Sequence, residues 1–125
     1  MEKAELLART KAFALRVLKL VDRMPRTTAG RTLAAQLVRS GTSIGANYRA
    51  ACRGRSRAEF AAKLGVVAEE ADETVYWLEL IRDGGLVTET KIGDLLKEAD
   101  ELTAIFTAGR RTSSCNQTSH FKPQT

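Results

Sequence analysis

Apolar residues recur along this chain at steps of three and four positions, which is the spacing of one face of an α-helix. The first predicted helix runs from about Lys3 to Met24 and stops before Pro25, because the residue before a proline disfavours helical backbone angles. The second runs from about Thr28 to Arg53 and is rich in small residues, which allow helices to approach each other closely.

The third predicted helix has the clearest start in the chain. The Ser56 hydroxyl can accept a hydrogen bond from the Glu59 N–H, and the Glu59 carboxylate can reach back to the Ser56 N–H. The glycine pair at 84–85 ends this helix, and the fourth runs from Thr88 to about Gly109.

Short connections between long helices place consecutive helices antiparallel. No alternating pattern typical of strands competes with the helical one. The sequence therefore predicts an all-α fold: an antiparallel up-down-up-down four-helix bundle over residues 1–110. Residues 111–125 are aperiodic and rich in Ser, Thr, Asn and Gln, and they are predicted to form a disordered C-terminal tail.

Charge is distributed unevenly along the chain, whose formal net charge is +5. Residues 1–63 hold fourteen Lys/Arg against four Asp/Glu, and residues 64–125 hold six against eleven. The two halves either pair with each other, within the fold or between copies, or the basic half faces an anionic partner such as nucleic acid.

The remaining composition bears on the cellular location of the protein and on the state of its cysteines. No apolar run is long enough to span a membrane, and the charged start lacks the apolar core of a secretion signal, so we expect a cytoplasmic protein. Cys52 and Cys115 fit no metal or redox spacing, and we expect two free thiols.

Basic residues are concentrated around the connection between the second and third helices. They are Arg49, Arg53, Arg55, Arg57 and Lys63. Such a cluster suits phosphate backbones, and the neighbouring Tyr48 could stack on a base. The alternative is a solvated helix end, with arginine–glutamate pairs between subunits. A second basic set is expected to be a solvated face: Arg9, Lys11, Arg16, Lys19, Arg23 and Arg26.

Polar residues share one face of the second helix: Arg39, Ser40, Ser43 and Asn47. Antiparallel pairing sets Arg39 level with the acids of the third helix, so we expect a partly buried ion pair with Glu70 or Glu73 that specifies register. A catalytic serine needs a nearby base, and the sequence offers no histidine or lysine partner for these. We interpret the motif as structural and the protein as not an enzyme.

The acidic cluster at 69–73 and the aromatic pair beside it also have structural interpretations. Di-metal helical bundles use Glu-x-x-His motifs, whereas the one histidine here is His120 in the tail, so we expect no metal and no cofactor. Tyr76 and Trp77 point about 100° apart on a helix. One can lie in the core and the other at a seam, and we place Trp77 at a subunit seam.

Two strings carry a resemblance to a known family: RSGTSIGANYR at 39–49 and SRAEF at 56–60. With EEADET at 69–74 and YWLE at 76–79, they are similar to bacterial four-helix-bundle proteins of the 23S rRNA intervening-sequence type, over about residues 10–108. Ala50 departs from the pattern, because members often carry glutamate there, and the ion pair of that glutamate is missing.

The resemblance implies a bundle that assembles into a homopentameric ring. Members of a related group are accessory proteins of diversity-generating retroelements, which bind nucleic acid and partner a reverse transcriptase. The resemblance implies a similar role for this chain. Our leading hypothesis is therefore a non-enzymatic homo-oligomeric accessory protein that binds nucleic acid through its basic surface. The alternative is a structural or protein-interaction ring, whose basic surface contacts acids of the third and fourth helices.

Overall fold

The computed structural model describes the backbone of residues 1–119, and the side chains of residues 1–112 apart from 89 and 91. This part of the chain forms four α-helices and no strand: α1 (Lys3–Val21), α2 (Thr28–Cys52), α3 (Arg57–Asp83) and α4 (Glu89–Ser119). Each helix packs against the next, and α4 returns to α1 through a smaller contact. The predicted up-down-up-down bundle is confirmed, with α1 and α3 diagonally opposite each other.

The connection between α1 and α2 begins earlier than predicted. The helix ends at Val21 rather than Met24, and a tight turn follows in which the Met24 N–H donates to the Val21 carbonyl at 3.1 Å. The chain then folds back onto the first turn of α2. A Cβ on Gly30 would lie 2.0 Å from the Pro25 carbonyl oxygen, so this close approach requires glycine.

One of the two capping hydrogen bonds predicted at the start of α3 is present, and the other has a different donor. The Ser56 hydroxyl accepts from the Glu59 N–H at 3.1 Å. The Glu59 carboxylate, however, accepts from the Arg55 N–H at 2.9 Å rather than from Ser56. Ser56 is extended, with φ −147° and ψ 165°, and the Arg55 N–H is thereby brought within reach of the carboxylate.

The end of α3 depends on the glycine pair. The Leu86 N–H donates to the Ile81 carbonyl and the Gly85 N–H to the Arg82 carbonyl, both at 3.1 Å. This closure places Gly85 at φ 67°, in the left-handed region that favours glycine. It reverses the chain sharply into α4.

The fourth helix continues to Ser119, ten residues beyond its predicted end at Gly109. Gly85 is the only described residue with a positive φ. Gly109 therefore does not take the left-handed conformation that commonly ends a helix. Residues 111–119 of the predicted tail therefore have helical backbone, whereas 120–125, and the side chain of Cys115, lie outside the described residues.

The predicted apolar stripes meet in one core, and small residues bring α1 and α2 close together. Cβ atoms added at Gly41 and Gly45 would lie 3.0 Å from a methyl carbon of Val17 and 3.2 Å from the hydroxyl of Thr10. Thr10 is buried and donates to the Leu6 carbonyl at 2.8 Å, so its hydroxyl is satisfied. The largest fully buried apolar side chains are Phe13, Phe106, Leu37, Ile44, Leu78, Ile81, Ile92, Leu102, Val17 and Val67.

Candidate nucleic-acid interface

The antiparallel arrangement collects basic residues at one end of the bundle. This end is formed by the start of α1, the end of α2, the start of α3 and the later turns of α4. We call it the basic end and define it by exposed cations on these elements: Lys3, Arg49, Arg53, Arg55, Arg57, Lys63, Arg110 and Arg111. Charges that are distant in sequence are therefore presented together to one partner.

The five cations predicted from the sequence are all exposed and all lie at the basic end. Within the part of the chain that the structure describes, none of the five makes an ion pair. Glu59 lies among them, but one of its carboxylate oxygens accepts the Arg55 backbone N–H and caps α3. The single chain therefore leaves these positive charges available to an anionic ligand.

A groove between α1 and α2 extends this basic surface along the bundle. It has a volume of about 610 Å³. Its rim carries Lys3 and Lys11 on α1 opposite Arg49 and Arg53 on α2. The floor is mostly apolar or small: Leu7, Thr10, Ala14, Thr42, Gly45, Ala46 and Cys52. Sequence reasoning missed this pairing of rims, because nothing in the order of residues places Lys3 beside Arg53.

Arg110 is a further basic residue that the sequence did not single out. It lies on α4, and its Cδ would be 3.2 Å from a Cβ on Gly65 of α3. The missing side chain at Gly65 thus leaves room for the arginine to lie across α3. A fourth helix that ends near Gly109 places Arg110 at the edge of the tail, so the sequence alone does not join it to the basic end.

The interpretation of Tyr48 as a base-stacking residue is wrong. Its side chain is only 5% exposed, and its ring packs against that of Phe106 with centroids 5.2 Å apart. Burial raises the pKa of Tyr48 to about 12, and a hydrogen bond with Cys52 adds to this effect. The apolar stripe of α2 turns Tyr48 into the core, so its ring is unavailable to a ligand. Cys52 is a free thiol, as predicted.

The second basic set is a solvated face except at Arg9, where that prediction is wrong. The Arg9 guanidinium reaches α4 and donates to both oxygens of Glu98, at 2.6 and 2.8 Å, and to Glu101 at 2.7 Å. The hydrogen bond to Glu98 is the largest of the influences that raise the pKa of Arg9 above its usual range. The other members are exposed: Lys11, Arg16, Lys19, Arg23 and Arg26.

The polar residues of α2 act within the bundle. Arg39 is paired with Glu73 and, at 3.3 Å, with Glu70, although its side chain is nearly half exposed rather than partly buried. The Ser40 hydroxyl is fully buried and accepts a hydrogen bond from Thr74 at 2.9 Å. Both contacts join α2 to α3 at the same level, which defines their register.

The other two predicted members bond to their own helix. The Ser43 hydroxyl donates to the Arg39 carbonyl at 2.6 Å, and the Asn47 side-chain amide donates to the Ser43 carbonyl at 2.9 Å. Both hydrogen bonds are local to α2, so these two side chains do not contribute to the contact with α3.

The aromatic pair on α3 faces outward more than the sequence suggested. Trp77 is half-buried and its indole N–H donates to Glu73 at 3.1 Å. Tyr76 is exposed, and its ring meets that of Trp77 edge-on with centroids 5.2 Å apart. Neither ring belongs to the fully buried core, which is supplied here by Leu78. The position of Trp77 at a subunit seam stays a prediction.

Comparison with known proteins supports the resemblance found in the sequence. The family model of the 23S rRNA-intervening sequence proteins matches residues 2–108. The chain belongs to this family. The chain is also similar to a solved structure of a protein of unknown function from Bacteroides thetaiotaomicron, described as a member of the S23 ribosomal protein family. No curated protein is significantly similar.

The solved relative shares the whole bundle with this member of the 23S rRNA-intervening sequence family. It is 31% identical, with a TM-score of 0.80, and the alignment covers 89% of this chain and 99% of the relative. The family model ends at residue 108, whereas α4 continues to Ser119. None of the described helices is long and apolar enough to cross a membrane.

Proposed function

We propose that this family member is a non-enzymatic homo-oligomeric accessory protein, assembled as a pentamer, that binds nucleic acid through the basic end. The observation that carries the proposal is the exposure of Arg49, Arg53, Arg55 and Arg57 without ion pairs in the described part of the chain. Cations that are free in the folded chain keep their full attraction for phosphates.

The geometry supports contact with the phosphate backbone rather than readout of bases. Arginine and lysine at the basic end neutralise phosphates, and each neutralised phosphate releases counterions. The buried position of Tyr48 removes the aromatic platform that stacking on unpaired bases needs. We therefore expect affinity that depends steeply on salt and little on sequence.

Assembly strengthens such binding without adding any contact to a single chain. Several copies that present their basic ends to one nucleic acid bind it with an effective concentration set by their spacing. The proposal includes a cytoplasmic location and, as a protein partner, a reverse transcriptase. The partner comes from the likeness to the accessory proteins of the family, and the location from the composition of the sequence, rather than from the geometry of this chain.

The test is a binding titration with structured RNA and with DNA at a series of salt concentrations. The wild-type chain is expected to bind with micromolar affinity near about 50 mM salt and to weaken as salt rises. In the variant Arg53→Ala/Arg55→Ala/Arg57→Ala, the slope of log Kd against log salt on duplex DNA is expected to fall by about 3. Fluorescence polarisation measures both quantities.

A matched control removes the same charge from the opposite end of the bundle. The variant Arg23→Ala/Arg26→Ala/Arg31→Ala changes three exposed arginines at the connection between α1 and α2. It is expected to keep the wild-type slope. Equal losses in both variants would mean that net charge alone drives binding. Absence of binding by the wild-type chain at low salt would leave the structural or protein-interaction ring as the function.

A further inference from the structure

Large apolar side chains are exposed on two of the four helices. Apart from Met1, those that the described chain exposes are Leu15 and Leu18 on α1, and Val66, Tyr76 and Leu80 on α3. Isolated exposed apolar residues are ordinary on a protein surface. Here, however, they occur in two groups, and α1 and α3 lie diagonally opposite each other across the bundle. A regular distribution of this kind requires a reason.

The exposed apolar residues of α1 stand among cations. Leu15 is 53% exposed, with Lys11 one turn before it and Lys19 one turn after it on the same outward side. We call this surface the α1 face and define it as Ala8, Lys11, Leu15, Leu18 and Lys19. Within the described chain, neither lysine makes an ion pair. The surface is apolar at its centre with a lysine on each side, and exposed Asp22 lies beyond Lys19 at the end of the helix.

The exposed apolar residues of α3 stand among acids. Tyr76 is also 53% exposed, with Asp72 one turn before it and Glu79 one turn after it. We call this surface the α3 face and define it as Val66, Glu69, Asp72, Tyr76, Glu79 and Leu80. As far as the structure describes the chain, its three acids also lack ion-pair partners. The α3 face is thus the electrostatic complement of the α1 face.

We propose that the α1 face of one copy docks onto the α3 face of a second copy. Leu15 and Leu18 then contact Tyr76 and its apolar neighbours, and the lysines of one chain lie against the acids of the other. The inference rests on the homo-oligomeric part of the proposed function and assigns its interface. The two faces cannot meet within one chain, because they are on opposite corners of the bundle.

The charges of the two faces favour this head-to-tail contact over a two-fold contact, in which each face would meet the same face of another copy. Two α1 faces placed against each other would bring lysines onto lysines, and two α3 faces would bring acids onto acids. A head-to-tail contact avoids both repulsions. Each pair of chains then still has one free α1 face and one free α3 face. Further copies add in the same way until the assembly closes into a ring. The arginines of the basic end belong to neither face, so they stay exposed in such an assembly.

The test begins with two variants of the full chain. Leu15→Glu places an acid opposite the acids of the α3 face, and Tyr76→Asp places an acid opposite Leu15. Each is expected to raise the concentration at which the chain associates by about tenfold or more, as loss of a central contact does. Sedimentation velocity over a concentration series measures this. Circular dichroism is expected to show unchanged helix content, because both parent side chains are more than half exposed.

Mixing the two variants gives the decisive measurement. In a head-to-tail assembly, the intact α3 face of the Leu15→Glu chain binds the intact α1 face of the Tyr76→Asp chain. The second contact is then blocked by acid against acid, so the mixture is expected to form one-to-one complexes and nothing larger. A two-fold contact through α1 would instead leave the Tyr76→Asp chain assembled by itself, and that result would overturn the proposal.

Two controls separate this interface from other effects. Ala104→Glu adds the same charge to an exposed position of α4, outside both faces, and is expected to leave association unchanged. Nucleic-acid binding is measured on the same samples. A wild-type chain that binds nucleic acid but stays monomeric refutes the interface and the oligomeric part of the proposed function, and leaves the binding function standing. A chain that assembles through these faces but does not bind nucleic acid refutes only the binding function.

Discussion

Replacing Arg9 by methionine removes a guanidinium that bridges α1 and α4, the neighbouring helices with the smallest contact. Its fork donates to both oxygens of Glu98 and to one of Glu101, at 2.6 to 2.8 Å. The side chains of Arg9 and Glu98 are 24% and 16% exposed, so the change leaves a largely desolvated carboxylate without its cation. Methionine keeps most of the apolar stem and isolates the loss of charge.

The expected magnitude lies between two limits. A hydrogen bond to a charged group contributes about 1.5–3 kcal/mol when buried, and an exposed ion pair about 0–1 kcal/mol. Residual exposure screens the Arg9–Glu98 pair, and Glu101 is half exposed and adds little. We therefore expect Arg9→Met to lower the free energy of unfolding by about 2 kcal/mol, and Tm by about 6–10 °C.

Urea unfolding followed by circular dichroism, at one fixed protein concentration, measures the effect. Arg16→Met is the matched control, because Arg16 is exposed on the same helix, and its change is expected within about 0.5 kcal/mol. The double variant Arg9→Met/Glu98→Leu should recover most of the loss, since only the half-exposed Glu101 is left without its cation. A cost below about 0.5 kcal/mol for Arg9→Met, or a double variant no more stable than Arg9→Met, would refute the reasoning.

Three further changes probe packing and ionisation. Gly41→Leu should cost about 1–3 kcal/mol in urea unfolding, because even its Cβ would lie 3.0 Å from Cγ2 of Val17. Gly93→Ala, where an added Cβ meets nothing within 4 Å, should instead stabilise by up to about 1 kcal/mol. In a Tyr76→Phe chain, phenolate absorbance reports Tyr48 alone and should appear near pH 12. Folded Tyr48 keeps its proton where the unfolded residue has lost it, so stability should fall as pH rises from about 10 to about 12; phenolate near pH 10 in a still-helical chain would contradict this.

The helices could be predicted from the sequence because their signals are local. A three- and four-residue repeat of apolar positions, a serine cap at Ser56 and a left-handed closure at Gly85 each depend on residues within one or two turns. The end of α4 could not be predicted in this way. A glycine near the end of the stripe permits a left-handed closure but does not require one, and at Gly109 the backbone stays helical.

Five of the eight cations at the basic end could also be predicted from the sequence alone. Arg53, Arg55 and Arg57 are neighbours in sequence, and a cluster around one turn stays a cluster in any fold that keeps the turn. Tyr48 stands just before them, but its position in the sequence does not say whether its ring faces the core or the solvent. Packing against Phe106, more than fifty residues away, decided that the ring is buried.

The sequence by itself determined the four helices, their antiparallel order and the charge of the α2–α3 connection, because these follow from periodicity, caps and short loops. The tertiary structure alone decided which distant charges meet. It placed Lys3 and Lys11 across a groove from Arg49 and Arg53, and it paired the partly buried Arg9 with Glu98. Contacts between helices depend on the rotation and level at which they pack, and no local pattern encodes those two quantities.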